Sequence, residues 1–170
     1  TLYRVSPEMH GELDELLGSF VSEFLGVDRI EARRIQKAYF HEFGLTLRGL
    51  IEYHDLDPEV YFAHMMRADL SGIGRDPALV EAIGALNGRK VVYSNAPSSH
   101  VRQVLERIGL TPLIDAVHDI EDAGFTPKPA PAAYVELCRR HVIDPARAVM
   151  IDDSVLGWLP VVRGDQKRAA

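Results

Sequence analysis

Ala148-Val149-Met150-Ile151-Asp152-Asp153 is an apolar run that ends on two adjacent carboxylates. A short apolar run of this kind reads as a buried strand. In open α/β sheets the carboxyl ends of the strands are where ligands bind. Two like charges side by side disfavour each other's ionisation unless something positive stands near them. The simplest such partner is a divalent cation with oxygen ligands, and Mg2+ is the usual one beside phosphate. The plainer alternative is an acidic pair that caps the following helix.

Working back along the chain, Lys90-Val91-Val92-Tyr93-Ser94-Asn95-Ala96-Pro97 is a second short apolar run, ending on a hydroxyl and an amide. Val101, Val104, Leu105 and Ile108 follow at helical spacing. Ser94, with the free N–H groups of that helix start, suits a phosphate. Ser94 and Ser98 or Ser99 also read as ordinary turn and N-cap residues. Between the two runs lies Thr126-Pro127-Lys128-Pro129-Ala130-Pro131, in which three prolines surround one lysine. Proline fixes its own φ and restricts the residue before it, so Lys128 is either aimed at something or carried on a stiff solvated loop.

From residue 89 onward strand and helix alternate: strands at 91–93, 116–119 and 148–151, helices at 98–108 and 130–141. That alternation predicts a parallel sheet. Residues 6–77 read instead as helices. Leu13, Leu16, Leu17, Phe20, Val21 and Phe24 form one apolar stripe, ended by Gly26. Ile30, Ile35, Ala38, Tyr39 and Phe43 form a second, ending near Gly44. Asp57-Pro58 opens a third helix carrying Val60, Tyr61, Ala63, His64 and Met65, and Asp76-Pro77 opens a fourth. The predicted fold is therefore α/β, a Rossmann-like parallel sheet core (residues 1–5 and 78–156) with an α-helical insertion (6–77) and an atypical tail (157–170).

Of 170 residues, 46% are hydrophobic, which suffices for a core, and the net charge of −6 lacks the basic footprint of a nucleic-acid binder. The single cysteine, Cys138, excludes an intrachain disulfide and fits a reducing, cytoplasmic setting. No stretch is long and apolar enough for a membrane helix. His10, His41, His64, His100, His118 and His141 lack metal-ligand spacing and read for the most part as surface or interface histidines, and Asp119, Glu121 and Asp122, after the 116–119 strand, either face the site at the strand ends or form a solvated loop, the commoner case.

A hydroxyl after one strand, a proline-clamped lysine, then an acidic pair after another strand: in that order Ser94, Lys128 and Asp152-Asp153 resemble the second, third and fourth motifs of the haloacid-dehalogenase-like phosphohydrolases. The first motif of that family, close to Asp-x-Asp-x-Thr-Leu-Tyr, holds the nucleophile. This chain opens Thr1-Leu2-Tyr3, so it reads as a fragment cut just after both catalytic aspartates; the absence of an initiator methionine fits. The resemblance implies that Ser94 and Asn95 bind phosphate and that Lys128 stabilises the charge of the nucleophile and the transferring group. It implies that Asp153 binds Mg2+ with Asp152 beside it. It also implies an aspartyl-phosphate intermediate on an aspartate upstream of Thr1.

Lys37-Ala38-Tyr39-Phe40-His41-Glu42-Phe43-Gly44-Leu45-Thr46-Leu47-Arg48-Gly49-Leu50 is similar to the cap signature of pyrimidine 5′-nucleotidases, Tyr-Tyr-x-x-Tyr-Gly-x-x-x-x-Gly-Leu. This implies a small-molecule nucleoside monophosphate as substrate, with Arg48, Tyr53 and His54 as candidates to read its base or ribose. Taken singly, each also has a structural reading: Arg48 paired with a carboxylate of the insertion, Tyr53 packing. A sugar-phosphate phosphatase of broad specificity, a dehalogenase and a catalytically dead remnant that only binds are the competing readings. Two departures from the family stand out: Gly157 occupies the position where an asparagine is usual, and Pro160 interrupts the helix expected there.

Overall fold

A computed structural model describes residues 2, 3 and 6–152. Gly157, Pro160, the tail at 157–170 and Asp153 lie outside the described residues. The elements run α1 (Pro7–Leu25), α2 (Arg29–Phe43), α3 (Thr46–His54), α4 (Pro58–Met65), α5 (Pro77–Ala85), β1 (Val91–Tyr93), α6 (Ser98–Ile108), β2 (Ala116–His118) and α7 (Pro131–His141). Helix starts follow the local chemistry. Ser6, Asp28, Asp57 and Asp76 each accept a hydrogen bond from a first-turn N–H, and three of the four precede a proline at the first helical position. Gly26 and Gly44 end α1 and α2 at φ 65° and 75°, a region that costs glycine little.

Two apolar cores form. Phe20, Val21, Ala32, Leu47, Leu50, Tyr61 and Phe62 join α1–α4, and Ile120 and Phe125 from the loop after β2 complete this cluster. Met9, Leu70, Ile73, Val101, Val104, Leu105 and Ile108 make the second, against Val92 and Val117 of the strands. Helix α1 therefore spans both, its first turns contributing Met9 and Leu13 to the second core and its last turns lying in the helical layer. The α6 stripe is buried as its spacing predicts. At roughly 1.5–3 kcal/mol per fully buried large side chain, those four residues contribute on the order of 10 kcal/mol toward holding α6 on the sheet.

β1 and β2 pair in parallel, with Val91 opposite Ala116 and Tyr93 opposite His118. The architecture is thus mixed helix and sheet around a small parallel pair. Residues 148–151 do not add a third strand, contrary to the expectation from their composition. A strand needs a neighbour for its N–H and C=O groups; this segment has none among the described residues, and Val149 and Ile151 stand 89% and 81% exposed.

Other expectations need correction. α3 was not foreseen as a separate helix: it opens at Leu45 without a capping side chain, so no N-cap signal marked it. Ile30 and Val60 are exposed, whereas Phe62, outside the expected stripe, is buried. In α2 the buried position is Ala32, which lies against the helical layer and leaves Ile30 on the opposite side. Neither Ser98 nor Ser99 caps α6; the cap position is Pro97.

Candidate active site

The sheet delivers the candidate residues at the carboxyl end of β1. Ser94 follows Tyr93 directly and continues the ladder, its N–H donating to the His118 carbonyl at 3.0 Å. Its hydroxyl accepts from the Ala96 N–H at 3.0 Å, a local turn contact. Asn95 clamps the lysine loop: its Oδ1 accepts from the Lys128 N–H at 2.8 Å and its Nδ2 donates to the Lys128 carbonyl at 3.3 Å. Both ends of the amide thus hold Lys128 backbone.

That clamp aims the ammonium. Lys128 Nζ donates to Asp152 Oδ2 at 2.7 Å and to the Tyr93 carbonyl at 3.2 Å, and stands 5.1 Å from the centre of the Tyr93 ring. The two charged side chains are only 19% and 12% exposed, so the pair is little screened by water. The Lys128–Pro129 peptide is cis. Pro127 and the Lys128 carbonyl lie against Gly44 at the end of α2, where an added Cβ would touch them at 3.6 and 3.9 Å. The helical layer therefore abuts the lysine loop directly. Burial pushes the Tyr93 phenol above its ordinary range, with nearby Tyr134 adding to the shift.

The start of α6 is not open. Asp119, 4% exposed, accepts from the Ser98 N–H at 2.8 Å through Oδ2 and from the Asp122 N–H at 2.8 Å through Oδ1. A carboxylate from beyond β2 thus occupies a helix N-terminus that the sequence suggested for phosphate. Glu121, beside it, is shifted upward by burial and then by the carboxylates of Asp119, Glu59 and Asp122.

Arg48, Tyr53 and His54 are engaged within α2 and α3. Arg48 pairs with Glu52 at 3.2 Å, Tyr53 donates to Glu42 at 2.6 Å, and His54 shares a 2.7 Å bond with the Tyr39 hydroxyl. Gly49 has no room for a side chain: a Cβ there would lie 2.6 Å from Tyr39 Cβ and Cδ2. The tyrosine and glycine of the 37–50 motif are thus one packing unit. The structure brings Ser94, Asn95, Lys128 and Asp152 together and shows no bond from Arg48, Tyr53 or His54 to them. A depression of about 430 Å3 between α1 and α2 is lined by Asp14, Glu15, Arg29 and Arg33 and includes none of these residues.

Sequence reasoning gives too little weight to two buried groups. Asp119 is no solvated loop residue, and His118 is no surface histidine: it is fully buried, beside Asp122 and His141. Their signal was position, since both end the β2 run on the edge that carries Ser94.

A profile described as haloacid dehalogenase-like hydrolase matches residues 1–160. The chain belongs to this family. Among curated proteins, this haloacid dehalogenase-like hydrolase is similar to Phosphate metabolism protein 8 of Saccharomyces cerevisiae, 25% identical over 127 residues, which is 69% of this chain and 40% of that protein. The chain thus spans well under half the length of that relative. Among the described residues of this family member, no helix is long and apolar enough to cross a membrane.

Proposed function

We propose that the chain is part of a Mg2+-dependent phosphomonoester hydrolase that acts on pyrimidine nucleoside 5′-monophosphates. The observation that carries the reaction class is the Lys128–Asp152 pair, held in a little-exposed site at the end of β1 by the Asn95 clamp. Family membership and the phosphate-metabolism name of the yeast relative support it. A little-exposed, positioned ammonium beside a carboxylate is suited to a phosphoryl group, whose transfer depends on positioning and charge neutralisation.

In this reading a carboxylate upstream of Thr1 attacks phosphorus, the P–O ester bond breaks, and the leaving oxygen takes a proton from a second upstream aspartate. Water then hydrolyses the aspartyl-phosphate. Lys128 neutralises the charge on the nucleophile and the transferring group, and the Ser94 hydroxyl donates to a phosphate oxygen. Asp152 is an oxygen donor of the hard type that suits Mg2+, and together with Asp153 it would hold the ion. When bound, Mg2+ supplies charge neutralisation of the phosphoryl oxygens. The α1–α4 layer, abutting the lysine loop through Gly44, serves as a cap that excludes water and adds contacts to the remote part of the substrate.

The pyrimidine preference rests on the 37–50 motif. The internal pairing of Arg48, Tyr53 and His54 favours a second reading, a phosphatase of broad substrate range. Phosphate release from UMP, CMP, AMP and an aryl phosphate, with and without Mg2+, separates them, run on the chain as given and on one extended upstream. Mg2+-dependent release from UMP and CMP by the extended chain alone is the expected result. Equal rates on all four substrates point to the broad phosphatase, and silence from both chains to a remnant that only binds.

A further inference from the structure

His118, Asp122 and His141 come from three separate places: the end of β2, the loop after it, and the last turn of α7. The two imidazole rings meet edge to face with centroids 5.2 Å apart. His141 Nε2 lies 3.3 Å from His118 Nδ1, Asp122 Oδ2 lies 3.8 Å from the same nitrogen, and donor atoms of the three residues lie within 4.8 Å of one another. Two nitrogens each about 2.0–2.1 Å from a tetrahedral Zn2+ would be about 3.3–3.4 Å apart, so the ring nitrogens already stand at the spacing of two ligands.

The chemistry of the set agrees. Imidazole with one carboxylate suits Zn2+, Ni2+, Co2+ or Cu2+ rather than Mg2+. A metal needs neutral imidazoles, and burial lowers the pKa of both rings. The carboxylate is oriented from behind: Arg140 pairs with its Oδ1 at 2.6 Å, and the Asp119 N–H reaches Oδ2 at 3.4 Å. The guanidiniums of Arg140 and Arg89 oppose a cation at this point, while Asp119 and Asp122 favour one.

We propose that His118, Asp122 and His141 form a binding site for a transition-metal dication of the Zn2+ class, with its remaining coordination positions open to water on the half-exposed Asp122 and His141 side. None of these residues belongs to the Lys128 site, and the inference does not depend on the proposed hydrolase chemistry. A bound ion ties β2 to α7 and steadies the loop from which Asp119 reaches α6.

The test uses tag-free, metal-stripped chain. Co2+ is titrated as the probe and followed by its visible ligand-field absorption, then displaced with Zn2+. One Co2+ per chain with a Kd of about 10 µM or tighter, displacement by Zn2+ and indifference to excess Mg2+ are expected. His141→Gln should weaken Co2+ binding by at least about tenfold, and His10→Gln should leave it unchanged. No binding in this range, or an unchanged titration for His141→Gln, overturns the proposal. Should His141→Gln fail to fold, histidine-ring NMR of the parent decides. Zn2+ must then shift the His118 and His141 resonances and spare the other five of the seven histidines; shifts confined to those five overturn it.

Discussion

Gly49→Ala is the substitution whose outcome the structure fixes most tightly, because two effects of opposite sign meet there. In an exposed helix interior, glycine to alanine stabilises by about 1 kcal/mol. Here the new methyl would stand 2.6 Å from Tyr39 Cβ and Cδ2, closer than carbon atoms pack, and the obstacle is the root of the side chain and not its flexible end. Tyr39 must therefore rotate away or α2 and α3 must separate. Overpacking of this kind costs about 1–3 kcal/mol, and moving the ring also removes the hydrogen bond from its hydroxyl to His54, worth about 0.5–1 kcal/mol at a partly solvated site. Setting these against the propensity gain leaves a net loss of about 0.5–3 kcal/mol.

For a chain of this size that loss lowers Tm by about 2–10 °C, read by calorimetry or far-UV circular dichroism. The decisive comparison repeats Gly49→Ala in a Tyr39→Gly background, because an alanine at 39 would keep the Cβ that stands 2.6 Å from the new methyl. With Cβ and ring both gone only the propensity term remains, and the same substitution should become stabilising by up to about 1 kcal/mol. A rise in Tm for Gly49→Ala in the parent, or the same change in both backgrounds, would refute the view that the tyrosine–glycine pair of the 37–50 motif is a packing unit.

Other consequences follow from the same geometry. Asn95→Ala removes both bonds that hold the Lys128 backbone; urea melts should show a loss of about 1–2 kcal/mol, and Lys128 should become more reactive toward amine acylation measured by mass spectrometry. Lys128→Met leaves Asp152 without its ammonium partner and should lower phosphate release by the upstream-extended chain at least about a hundredfold, with a smaller effect on KM. Burial depresses the pKa of His100, His118 and His141 below the ordinary value of 6.5. A folded-state pKa below the unfolded one contributes stability that is present above pH 6.5 and lost as pH falls, so metal-free chain should unfold at lower urea concentration at pH 5.5 than at pH 7.5, and less so for His118→Gln. Asp119→Ala opens the start of α6 by removing the partner of the Ser98 N–H; it should cost about 1–2 kcal/mol in the same melts.

Where local chemistry decided the outcome, the sequence was a good guide. The Asp57-Pro58 and Asp76-Pro77 boundaries, the glycine stops at 26 and 44 and the α6 stripe depend on neighbours a few residues away, and all stand where they were expected. What depends on distant partners was less legible. α3 lacks a capping side chain and is held by packing against α2 and by burial of Leu47 and Leu50 in the core shared by α1–α4. Residues 148–151 have the composition of a strand, but pairing supplies the hydrogen bonds of a strand, and composition cannot announce a partner. In the site, Lys128 was legible because three prolines flank it, and Asp152 because it ends an apolar run. The role of Asn95 as a clamp was not, since nothing in residues 94–97 indicates that its amide meets a backbone 33 positions later.

Asp119 changes what the site asks of Ser94 and Lys128. A free helix N-terminus would bring N–H donors and a partial positive charge to an arriving phosphate, but in this chain a buried carboxylate already accepts the Ser98 N–H. A phosphate placed there would have to displace Asp119 and leave its charge in a buried position, which is strongly unfavourable. Under the proposed function, anion recognition at this end of the sheet therefore falls to the Ser94 hydroxyl and the Lys128 ammonium, and the ammonium is itself shared with Asp152 and the Tyr93 carbonyl. In that proposal Lys128 meets a phosphate oxygen without losing its place, because Asn95 bonds its backbone and not its side chain. The clamp at residue 95 and the charge at residue 128 are consequently one device, in which the first supplies position and the second supplies attraction.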